Sequence, residues 1–129
     1  MDRKQIVGYW ATEAEDALRV AKHLFEKKDY SCSLFFGHLA VEKIIKAIFV
    51  QNTSRDVPRS HNLPRLASGA GIVLTDRQKR DLVRITVFNL EARYPDYKRE
   101  FRKKCTTEFT EVEINKINEV FVWLKSMLL

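Results

Sequence analysis

An all-α bundle is the fold this sequence predicts, and three observations predict it. Apolar residues recur at spacings of three and four along nearly the whole chain, as on one face of a helix. No stretch alternates with the two-residue period of a half-buried strand. The 129 residues include only four Gly and three Pro, which suits long helices joined by few turns. A chain of this length is one domain's worth and can bury a real core. The expectation is an up-and-down helical bundle over residues 1–129, with four long helices and one short one.

The first helix, about 4–27, carries Trp10, Ala14, Ala17, Leu18, Ala21, Leu24 and Phe25 on one face. Trp10 belongs with the aliphatic core on this reading. Lys27, Lys28 and Asp29 end the helix, and Asp29 suits the N-cap of a second helix over 30–51. That turn is short, so the two helices run antiparallel. A polar loop follows, and Asn62 or Ser60 caps a short helix in which Pro64 is tolerated in the first turn. Gly69 and Gly71 end it. Thr75 and Gln78 form a capping box for a helix using Leu82, Ile85 and Phe88, and Pro95 forces a break near Tyr94. Thr110 and Glu113 read as a second box, opening a last helix through Ile114, Ile117, Phe121, Leu124 and Leu128.

Charge and cysteine content narrow the function. Lys plus Arg outnumber Asp plus Glu by 23 to 17, a formal net charge of +6 that favours polyanionic or acidic partners. Cys32 and Cys105 stand alone, with neither zinc-ligand spacing nor a CxxC pair, so reduced thiols in a cytoplasm are expected. No apolar run is long enough for a membrane span. Glycine loops that cradle phosphates, nucleophile elbows and metal-ligand spacings are missing, so no cofactor or metal is expected.

The second helix is apolar round most of its circumference. Its exception is a stripe of His38, Glu42 and Lys46, each four residues from the next. Such a stripe needs a destination: a solvated groove, a partner chain or a ligand. A second unusual stretch runs from Arg93 to Lys104, where basic residues are interleaved with Tyr94, Tyr97 and Phe101. Cations there attract phosphates and aromatic rings offer stacking faces, although charge runs are usually solvated faces.

Four pieces of sequence fall in a telling order: Trp10 with Ala14, Asp16 and Leu18; Ala40-Val41-Glu42-Lys43 with Lys46-Ala47; His61-Asn62-Leu63; and Ala92-Arg93-Tyr94-Pro95. Together they resemble the HEPN domain (higher eukaryotes and prokaryotes nucleotide-binding), in a small stand-alone prokaryotic form. The resemblance implies a helical bundle that dimerises and associates with nucleotides or nucleic acid. It also implies a role as the non-catalytic partner of a minimal nucleotidyltransferase, in a toxin–antitoxin-like pair. The candidate ligand-binding residues are then His38, Glu42, Lys46, His61, Arg93 and Tyr94. Lys98, Arg99, Arg102 and Lys103 are the candidate phosphate contacts.

Many HEPN domains are metal-independent ribonucleases marked by an Arg followed four to six residues later by a His. Arg55 and His61 fit that spacing, and an Arg can stabilise phosphoryl charge while imidazole moves a proton. The pair spans a loop containing Pro58, whereas the family motif opens a late helix. An endoribonuclease toxin is therefore the alternative, and a structural helical adaptor is a third reading, since capping and packing account for each polar residue singled out.

Overall fold

The fold is built round one helix that its neighbours enclose on most sides. The computed structural model describes residues 1–93 and 99–129, with the side chains of 91–93 outside that description. Six helices occur among the described residues: α1 (Arg3–Glu26), α2 (Tyr30–Thr53), α3 (Leu63–Gly69), α4 (Asp76–Arg93), α5 (Glu100–Lys104) and α6 (Thr107–Lys125). The four long helices and short α3 fall where the periodicity places them. Helix α5 is an addition: five residues with Glu100 in the first turn and Arg102, Lys103 and Lys104 in the last, an order that complements the helix dipole. Tyr94 and Pro95, where a break is expected, lie outside the described residues.

Helix α2 buries Leu34, Ala40, Val41, Ile44, Ile45, Ala47 and Ile48 completely. Full burial of each Ile or Leu contributes about 1.5–3 kcal/mol before chain entropy is set against it. The cover comes from α1 most extensively, then from α6, α4 and α3. Most of the apolar surface of α2 is covered by these elements of the same chain. At Gly37 the approach of α6 is so close that a Cβ would lie 2.7 Å from Ile117 Cδ1.

Capping residues set most of the helix starts. Asp2 accepts from the Gln5 amide and Gln5 returns the bond to Asp2, which starts α1. Asn62 accepts from the Arg65 amide at α3, and Thr75 and Gln78 exchange bonds at α4 as their spacing predicts. The box expected at Thr110 and Glu113 does not form. Thr106 caps α6 by accepting from the Phe109 amide, so Thr110 and Glu113 lie inside the helix and face its buried side. Cys32 and Cys105 are thiols, not a disulfide.

Candidate functional site

The stripe on α2 does not open into a groove. His38 is wholly buried and Glu42 is 3 % exposed. The connection from α2 to α3 folds back over them, because α3 packs on α2 through Leu63, Leu66 and Ala67. His61 precedes the Asn62 cap and therefore arrives above Glu42. Its Nδ1 donates to Glu42 Oε1 at 2.7 Å, while Lys46 Nζ donates to Glu42 Oε2 at 3.0 Å. Both oxygens of this buried carboxylate are thus satisfied by groups able to carry positive charge. That is the condition under which a carboxylate can be buried without neutralising.

His38 completes the arrangement from below. Its Nε2 lies 3.1 Å from the carbonyl of His61. A carbonyl can only accept, so Nε2 carries the proton in the neutral ring. Nδ1 is buried with no hydrogen-bond partner among the described residues. Burial disfavours the charged form and pushes the His38 pKa below its ordinary 6.5, outweighing the opposite pull of the His61 carbonyl and Glu42. Neutral His38 therefore fixes the backbone of His61, and Glu42 fixes its ring. The imidazole is held at both ends, with 49 % of the side chain exposed.

Lys46 links this cluster to the next feature, since its ammonium sits 5.2 Å from the centre of the Trp10 ring. Trp10 is only half-buried and lines a cavity at the α1–α2 end, so it is not core as expected. Large rings are seldom fully enclosed, and the neighbours at this level are the exposed ends of two helices. Arg55 borders the same cavity and lies over the Phe49 ring at 5.6 Å. It belongs to this cavity, while His61 is engaged by Glu42.

The other sequence candidates divide. Arg99, Arg102 and Lys103 are exposed in and beside α5, with Arg99 in the left-handed region at φ 55°. Arg93 closes α4, but its side chain, Tyr94 and Lys98 lie outside the described residues. One polar residue of note escapes the sequence reading. Glu113 is 1 % exposed on α6 and pairs with Arg84 of α4. That carboxylate raises the Arg84 pKa further, through their hydrogen bond first and charge second. The signal is present in the sequence: Glu113 sits three residues after Thr110 and four before Ile117, on the inner face.

Comparison with known proteins bears on the family. The HEPN domain family matches residues 7–127, nearly the whole chain. The chain belongs to the HEPN family. A solved neighbour in fold is TT1696 from Thermus thermophilus, with a TM-score of 0.81 at 17 % identity, covering 95 % of this chain and 98 % of that one. At that identity the likeness concerns the fold alone. No curated protein matches the chain. Among the described residues no helix of this HEPN domain is long and apolar enough to cross a membrane, and no cluster of His, Cys, Asp and Glu could hold a metal ion.

Proposed function

We propose that this HEPN chain is a non-catalytic binding module for nucleotides or nucleic acid. The observation that carries the reading is the engagement of His61. Its ring tethers the α2–α3 connection to buried Glu42, whose second oxygen already belongs to Lys46. A histidine so placed stabilises the fold and presents a fixed edge to a ligand. The exposed cations of α5 supply phosphate attraction on a separate element.

The module works as a homodimer and as the partner of a nucleotidyltransferase-like chain. Support for a second copy lies on α4, where Val83, Val87 and Leu90 are 50, 40 and 56 % exposed. Their spacing of four and three makes a stripe that an antiparallel copy can match, Val83 on Leu90 and Val87 on itself.

The endoribonuclease reading has one observation in its favour. Glu42 orients His61 through Nδ1, as a carboxylate orients a general base. The Lys46 ammonium on the same carboxylate serves equally well for a structural tether.

RNA binding tests the module. Replacing Arg99, Arg102 and Lys103 by Gln should lower the slope of log affinity against log salt by about 2, if each meets one phosphate of a single strand. Thermal stability should hardly change, because all three are exposed. Equal slopes for variant and parent would remove α5 from the binding surface.

A further inference from the structure

The cavity beside Trp10 is separate from the His61 tether. It lies where the first turns of α1 meet the last turn of α2 and the loop beyond. Its volume is about 310 Å³, at the lower end of the range for small-molecule sites. Ile6, Trp10, Val50 and Val57 give it apolar walls, and Arg3, Arg55 and Asp56 give it charge.

Two features make this more than a surface dimple. Ser54 ends α2 in the left-handed region at φ 58°, which turns the chain so that residues 55–57 fold back along the helix end. Both arginines are also held by neighbours. Arg3 Nη1 donates to Ser54 Oγ at 2.6 Å, and the Arg55 guanidinium rests over Phe49. Each is thereby restrained before any ligand arrives, which lowers the entropy lost on binding.

We propose that this cavity binds a small planar aromatic molecule carrying one anionic group. The ring contacts Trp10 and the aliphatic walls, and the anion meets the forked donors of Arg3 and Arg55. Asp56 offsets one of the two guanidinium charges, so the site suits a single phosphomonoester or carboxylate and disfavours a polyphosphate. Nucleoside monophosphates and simple aromatic carboxylates share that chemistry.

The test uses the full chain with Trp123→Phe, which leaves Trp10 as the sole tryptophan reporter. AMP, CMP, phenyl phosphate and benzoate are titrated while Trp10 fluorescence is followed, and a ligand from either source should saturate with Kd below about 1 mM. Adenosine lacks the anion and ribose 5-phosphate lacks the ring, so each should bind at least roughly tenfold more weakly than AMP. Arg3→Gln with Arg55→Gln should cost a similar factor at unchanged melting temperature, with Arg80→Gln, an exposed change on α4 outside the cavity lining, leaving binding intact. Saturation by none of the four ligands, equal binding by the double variant, or ATP binding roughly tenfold tighter than AMP would overturn the proposal. The salt dependence of RNA binding through Arg99, Arg102 and Lys103 is measured independently, since none of them lines this cavity, so the cavity and the α5 surface fail separately.

Discussion

Two buried glutamates in this small bundle solve the same problem in different ways. Glu42 on α2 has both oxygens occupied, one by His61 and one by Lys46. Glu113 on α6 has one oxygen on Arg84, while Oε2 is buried without a partner among the described residues. The first carboxylate gathers groups from two elements, and its charge is shared. The second depends on one guanidinium whose side chain is 53 % exposed. A buried charge with several partners tolerates the loss of one better than a buried charge with a single partner.

The largest expected effect follows from that asymmetry. Arg84→Ala strands the Glu113 charge in the interior and should cost about 2–3 kcal/mol, somewhat below the ~3–5 kcal/mol of a fully buried pair because half of Arg84 meets water. Glu113→Leu should be close to neutral, because Arg84 is then released to solvent and an apolar side chain fills an apolar site. Urea unfolding of both variants and of their combination checks the order. A larger cost for Glu113→Leu than for Arg84→Ala would reverse the account of this pair.

A smaller loss is expected at the other carboxylate. Glu42→Gln keeps an acceptor for His61 but leaves Lys46 without its charge partner, so about 1–2 kcal/mol should be lost. His61→Ala should cost about 1 kcal/mol, since it frees the connection and removes one of two bonds to Glu42. If His61→Ala were as damaging as Arg84→Ala, multiple partners would confer no tolerance.

The sequence makes one glutamate visible and conceals the other. His38, Glu42 and Lys46 form an i,i+4 stripe on a helix otherwise apolar, and a polar stripe on such a background is easily seen. Position in the chain hints at its tie to His61 but not at the geometry, because a loop containing Pro58 leaves the ring's approach open. Glu113 is hidden by a competing motif. Thr110 with Glu113 spells a capping box, and Thr106, the true cap, has Phe109 at the position where a box needs Glu or Gln. Trp10 misleads for a related reason: periodicity gives the face of a residue, not how far its neighbours reach. Helix α5 escapes because five residues are too few for a period to emerge.

Acidity offers a milder perturbation of the Glu42 region. His38 has a folded pKa below its ordinary 6.5, so the unfolded chain binds the proton more readily than the folded one. Stability should therefore be complete above about pH 7 and fall as pH drops through about 6.5, with a slope of at most ~1.4 kcal/mol per pH unit from this group. Glu42, His61 and Lys46 face the same space, so the decisive comparison is His38→Gln against the parent between about pH 7 and 5.5. The variant should show the flatter profile. A slope identical in both proteins would assign the acid sensitivity elsewhere.

Whether His61 is a tether or a catalytic base is decided by turnover. Purified protein is incubated with single-stranded and hairpin RNA in excess chelator, alongside Arg55→Ala and His61→Ala proteins shown to be folded. The account predicts no cleavage by the parent above the His61→Ala control. Chelator-resistant cleavage reduced ~10²–10⁴-fold by His61→Ala and abolished by Arg55→Ala, with a pH profile turning near the imidazole pKa, would contradict it.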